Sequence, residues 1–292
     1  VIAAPLVEPA PLSALPAACN HVRVEESAMS LPMRLWIPVA MLVALIAGEA
    51  RAQAGDPFTD WNVQLLYGTT FAEPDIDVDV SKGLVTFENA AGWKWGSSYA
   101  FVDVLRSYSA ADQNATEVYG EWYPSASLRS LSGRGPGEGF VRDVSLTLAV
   151  NAGVKSTGPQ TLVMLPGVTA DLAVPGFKFL TLGVFAYVDR STFEGEEFGA
   201  RGTSFQITPS WSVPFRVGRA SIVFDGFADY IGEHGELEYQ FLAQPQLKID
   251  ASAAWGREGE LFVGVEWQVW QNKYGVRGLD ESVPQVLVLW NP

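Results

Sequence analysis

The chain has 292 residues with 19 basic and 33 acidic side chains, a net charge of −14 that argues against a nucleic-acid partner, whose phosphates need a basic surface. Its single cysteine, Cys19, excludes a disulfide framework and a cysteine-based zinc cluster, and two histidines, His21 and His234, leave little for metal or triad chemistry. With 28 Gly, 10 Trp and 16 Phe the composition favours strands and turns over helices.

Residues 1–28 are Pro-rich and aperiodic and read as an over-extended start. A signal peptide is expected over 29–54: Met33-Arg34 form its basic head, 35–47 is an apolar run too short to span a bilayer, and Ala52-Gln53-Ala54 is the cleavage box. Cleavage near Ala54 leaves residues 55–292 as the mature domain. Only a few of the acidic side chains lie in the leader, so the acidity belongs to that domain.

From Trp61 onward, segments of roughly ten residues alternate with period two and are punctuated by Gly, Pro, Asp and Ser clusters. Strands are predicted near 61–71, 83–95, 98–107, 115–127, 140–153, 160–174, 177–189, 203–213, 219–230, 237–250, 259–271 and 283–290. That even count suits an all-β fold, a transmembrane antiparallel up-and-down β-barrel of about twelve strands. Long outer connections are expected at 72–82, 190–202 and 272–282, and short inner ones at Gly96-Ser97, Pro175-Gly176 and 214–218. The 128–139 connection breaks this rule by being long on the inner side.

The strand faces favour a membrane barrel over a soluble sandwich. Val144, Leu146, Leu148 and Val150 alternate with Asp143, Ser145, Thr147 and Ala149, and Leu261, Val263, Val265, Trp267 and Val269 alternate with Gly264, Glu266 and Gln268. The apolar faces are wide and nearly charge-free, as lipid contact requires. Trp61, Tyr67, Trp93, Trp95, Trp122, Tyr123, Trp211, Tyr230, Trp270, Tyr274 and Trp290 gather at strand ends, as interfacial girdles would.

Several strand motifs are familiar. Residues 86–96, Thr-Phe-Glu-Asn-Ala-Ala-Gly-Trp-Lys-Trp-Gly, followed by Tyr99-Ala100-Phe101-Val102-Asp103, resemble the second and third strands of the Tsx-type nucleoside-specific channel family. So, in order, do Gly120-Glu121-Trp122-Tyr123-Pro124, Gln206-Ile207-Thr208-Pro209-Ser210-Trp211, Asp225-Gly226-Phe227-Ala228-Asp229, Pro245-Gln246-Leu247-Lys248 and Val263-Gly264-Val265-Glu266-Trp267. The resemblance spans about residues 60–290. It implies a twelve-stranded, monomeric outer-membrane channel passing nucleosides, in a family some of whose members also serve as phage or bacteriocin receptors. One departure from it is the ending Leu289-Trp290-Asn291-Pro292, where such barrels close on an aromatic residue.

If the charged residue of each strand faces the lumen, the wall carries Glu88, Asp103, Glu117, Glu121, Asp143, Asp171, Asp225, Asp229 and Glu266, with Gln240, Gln244 and Lys248 for balance. Tyr99, Phe101, Tyr119, Tyr123, Phe185, Tyr187 and Phe227 share those faces. Aromatic planes stack bases and carboxylates accept hydrogen bonds from ribose hydroxyls, so this set is the candidate substrate path. Acidic walls also predict nucleosides over nucleotides.

No catalytic residue, metal or cofactor is expected, since no Ser/His constellation exists and residues 133–139 lack the Gly-Lys-Ser/Thr of a phosphate loop. Acidic outer loops (Asp75, Asp77, Asp79; Glu194, Glu196, Glu197) could hold cations bridging lipopolysaccharide, though solvated loops are the simpler reading. The expected partners are outer-membrane lipid, lipopolysaccharide and small polar solutes. The alternative is a non-conducting structural, adhesive or receptor barrel.

Overall fold

The computed structural model describes residues 57–158, 160–192 and 202–292. The expected leader, with Cys19 and His21, lies outside the described residues, as do Glu194, Glu196 and Glu197.

The described residues form thirteen strands in chain order: β1 (Phe58–Glu73), β2 (Ile76–Trp93), β3 (Gly96–Ser107), β4 (Thr116–Ser127), β5 (Val141–Lys155), β6 (Gln160–Leu172), β7 (Phe179–Asp189), β8 (Gly202–Val217), β9 (Ala220–Ile231), β10 (Gln240–Ala243), β11 (Gln246–Asp250), β12 (Leu261–Gln271) and β13 (Glu281–Trp290). Neighbours pair antiparallel, and β13 returns to β1 with Trp290 opposite Val63 and Val286 opposite Tyr67. The sheet is therefore a closed antiparallel β-barrel, and closure leaves no edge whose amides lack partners.

β10 and β11 both lie between β9 and β12, so they are two halves of one wall strand and the barrel has twelve positions. The predicted single strand 237–250 is thus interrupted at Gln244-Pro245. Proline has no N–H for the ladder, and opposite the break Gly226 takes a φ of 147°. A Cβ on Gly226 would lie 2.5 Å from the Gln244 carbonyl oxygen. The break stays pinned because Gln244 N–H donates to Phe227 O at 3.1 Å and Trp267 N–H donates to Pro245 O at 2.9 Å.

The expected loop at 72–82 is a correction. β1 and β2 run on to a two-residue turn at Pro74-Asp75, where Asp75 adopts a φ of 61°. Asp77 and Asp79 are strand residues alternating with Val78 and Val80. Before the turn the β1–β2 register shifts between Gly68 and Phe71. From Gln64 to Gly68 the even-numbered residues of β1 are buried, and beyond it Phe71 and Glu73 are. This bulge changes which side of the strand faces inward, and it carries Glu73 into the barrel. Elsewhere, the short turns fall at Lys94-Trp95 and Gly218-Arg219, a residue or two from their predicted places. The long 128–139 connection contains a one-turn helix, Leu128–Leu131.

The apolar face points outward. On β5 Leu148 is 56% exposed beside a fully buried Ala149, and on β12 Val263, Val265 and Trp267 are exposed while Glu266 and Gln268 are buried. Trp95, Tyr67, Tyr230 and Trp290 sit on the outer surface, and Trp290 packs edge-on against Trp61 at 5.8 Å. Three of the expected girdle rings turn inward instead: Trp270 and Tyr274 line the lumen, and Tyr123 packs against Phe185 at 6.1 Å. Among the described residues no helix is long and apolar enough to cross a membrane.

Candidate functional site in the barrel lumen

Because side chains alternate across each strand, every second residue projects into the barrel. These residues arrange themselves in three zones between the end where β1 starts, called here the near end, and the far end at Pro74-Asp75.

The near zone is polar. Glu88 accepts from Asn62 Nδ2 and from the Tyr99 hydroxyl, each at 2.8 Å. Asp143 accepts from Val144 N–H at 2.8 Å beside the Leu128–Leu131 helix, in a hollow shared with Arg129, Arg134 and Arg142. Asp143 lies directly opposite Asp171, a like-charged pair placed near these arginines.

The middle zone surrounds a cavity of about 180 Å³. Phe101, Asp103, Tyr119, Glu121, Tyr187, Phe227, Asp229 and Glu266 all line it. Asp103 accepts from the Thr86 hydroxyl at 2.5 Å, and Glu121 from the Tyr119 hydroxyl at 2.5 Å. Asp229 accepts from Gln206 Nε2 at 3.0 Å and from the Thr208 hydroxyl. Glu266 accepts from Gln246 and Gln285, each at 2.7 Å. Among the described residues neither these four carboxylates nor Glu88 forms an ion pair. Asp225 differs, being paired with Lys248 at 2.9 Å. Phe101 meets Tyr119 at 6.0 Å and Tyr99 at 6.2 Å, a ladder of rings beside the acids. Phe185 lies in the wall, packed with Val163, Leu165 and Tyr187.

The far zone corrects the expectation of an acidic lumen whose only basic group is Lys248. Glu73 is bonded to Lys82, pairs with Lys155 at 2.6 Å and stands 3.7 Å from Lys273. Lys155 also reaches Asp112 at 2.8 Å, Lys82 stands 3.6 Å from Glu117, and Lys273 reaches Glu281 at 3.0 Å and the Ala72 carbonyl at 2.8 Å. The Lys273 ammonium lies over the Trp270 and Tyr274 rings at 5.3 and 5.1 Å. The segment expected as an exposed outer loop thus tucks a turn, Lys273–Gly275, into the barrel. His234, also expected in an exposed loop, is buried, with Nε2 3.1 Å from Asp189 and Nδ1 3.1 Å from the Gly232 carbonyl.

No family model matches the chain, and no curated protein matches it. Solved structures do. A NanC porin superposes with a TM-score of 0.46 at 10% identity, covering 79% of this chain and 98% of that one. A KdgM porin does so with 0.40 at 8%, covering 78% and 98%. OmpF of Salmonella typhi, solved in complex with daunomycin, gives 0.34 at 7%, covering 83% and 100%. At these identities nothing those proteins bind or pass carries over to this chain.

Sequence reading missed Lys82, Lys155, Lys273 and Glu73. The bulge that inverts β1 leaves no mark in period-two patterning beyond Gly68 and the Thr69-Thr70 pair, and Lys273 reads as a loop residue. Lys82 was visible in principle: it shares parity with Leu84, Thr86 and Glu88 on one strand.

Proposed function

We propose that this chain, after loss of a leader ending near Ala54, is a monomeric outer-membrane channel for passive diffusion of nucleosides or similar small polar solutes. The observation that carries the reading is the middle zone: Asp103, Glu121, Asp229 and Glu266, free of ion pairs among the described residues, beside Phe101, Tyr119, Tyr187 and Phe227. Aromatic faces stack a base, at about 1–3 kcal/mol per base in nucleic-acid binders, and carboxylates accept from ribose hydroxyls. The outward apolar face supports a lipid setting, and the Tsx-type motifs support nucleosides as the solute.

Solute uptake by proteoliposomes tests this. Entry should be faster for adenosine than for adenosine monophosphate, whose phosphate is repelled by the acidic wall. Faster entry of the monophosphate contradicts the reading.

One observation favours a second reading, a non-conducting barrel whose loops bind a receptor ligand. The cavity, about 180 Å³, is smaller than the roughly 300–1,000 Å³ of small-molecule pockets, and the far zone is filled by the Glu73 network. The nucleoside path then requires the Lys273–Gly275 turn to move. A barrel that is folded in bilayers and silent under voltage would favour this alternative.

A further inference from the structure

We infer that the middle of the lumen is a binding site for a small organic cation, an ammonium or guanidinium group carried on a short apolar stem. This rests on the reading of the lumen as a solute path.

Two flanks of the cavity each pair a carboxylate with an amide oxygen that has no donor among the described residues. On one flank Glu121 and Asn151 are direct cross-strand partners. On the other, Gln206 and Asp229 are joined by their 3.0 Å hydrogen bond. Asn151 is 6% exposed and Gln206 1%, both line the cavity, and Asn151 Oδ1 and Gln206 Oε1 are buried without a hydrogen-bond partner among the described residues. The amide orientation of Gln206 is fixed, because its Nε2 is committed to Asp229 and Thr208.

The Tyr119 hydroxyl is spent on Glu121, the Thr208 hydroxyl and Gln206 amide on Asp229, and the two ammonium groups that line the same cavity, Lys82 and Lys273, are engaged with Glu73, Glu117 and Glu281. The pocket therefore has an excess of acceptors, including two carboxylates outside any ion pair among the described residues. A buried acceptor without a donor is costly, so the complementary ligand brings several N–H groups and a positive charge. The Tyr187 and Phe227 rings on the same wall add aromatic faces, which attract cations. A neutral nucleoside uses the rings and some acceptors. It leaves the carboxylate charge unmatched.

The test uses the full barrel folded in detergent and in planar bilayers, with n-butylguanidinium and its neutral isostere n-butylurea as probes. Titration calorimetry should show butylguanidinium binding at least about tenfold tighter than butylurea, and Glu121→Gln with Asp229→Asn, checked for folding by heat-modifiable migration, should abolish the preference. Equal binding of the two probes to the native barrel overturns the inference, and so does a preference that survives in a folded double variant. Because calorimetry needs no current, a silent barrel sinks the channel reading without deciding this one. A barrel that conducts and shows no probe preference sinks this one alone.

Discussion

Glu73 shows how much one buried residue can hold. It is almost inaccessible and its carboxylate serves Lys82, Lys155 and Lys273, which come from β2, β5 and the segment before β13. Replacing it with Gln breaks its pairs with all three lysines and leaves each with a single carboxylate, Glu117 for Lys82, Asp112 for Lys155 and Glu281 for Lys273. Breaking a buried pair in this way costs about 3–5 kcal/mol, so Glu73→Gln should lower the denaturant midpoint of the folded barrel, read by heat-modifiable migration, far more than Glu258→Gln. Glu258 is an exposed surface partner of Arg216. Equal midpoints for the two variants would refute the role given to Glu73. His234 is a second case. Both ring nitrogens face acceptors, which only the imidazolium satisfies fully. Burial pulls its pKa down, but the Asp189 carboxylate and the Gly232 carbonyl outweigh it and the net shift is upward. A pKa raised above the unfolded value of about 6.5 means the pair's stabilisation is full below that value and is lost as pH rises through the folded pKa. Ring-proton NMR should show His234 titrating above a free histidine, and Asp189→Asn should bring it below. An unshifted titration in that variant would remove Asp189 as the cause.

At the scale of elements, the strands were legible because the two faces differ so sharply in polarity, and most boundaries fall within a few residues of the predicted ones. What was not legible comes from devices that interrupt the period. The β1 bulge moves Phe71 and Glu73 from one face to the other, and the 72–82 segment reads as a loop because its acids resemble turn residues. Pro245 and Gly226 split one predicted strand in two. Gly226 has a positive φ and no room for a Cβ next to Gln244, so Gly226→Ala should destabilise the barrel by more than about 1 kcal/mol, seen as a lower unfolding midpoint. A neutral outcome would mean the break is looser than the structure shows. On the outer wall, Leu148 in mid-β5 is exposed where lipid is expected. Leu148→Arg should cost about 2–4 kcal/mol in vesicles if that position lies at the bilayer midplane. Little cost there would place β5 away from the lipid core.

For the whole molecule, fold and candidate site were readable to different depths. Alternation and even strand number pointed to a closed barrel, and eleven of the nineteen candidate wall residues converge on one cavity while Glu88 and Tyr99 bond to each other near its end. Charge balance was not readable, since it depends on which cation reaches which acid across strands far apart in sequence: Lys155 and Glu73 are 82 residues apart. The result is a barrel with an ion-paired far zone and, among the described residues, acids without ion pairs in the middle, an arrangement that should favour cations over anions. Single-channel recording across a potassium chloride gradient tests that central claim most directly. Discrete conductance steps with a reversal potential on the potassium side are the result expected, and a folded barrel that stays silent or prefers chloride would contradict it.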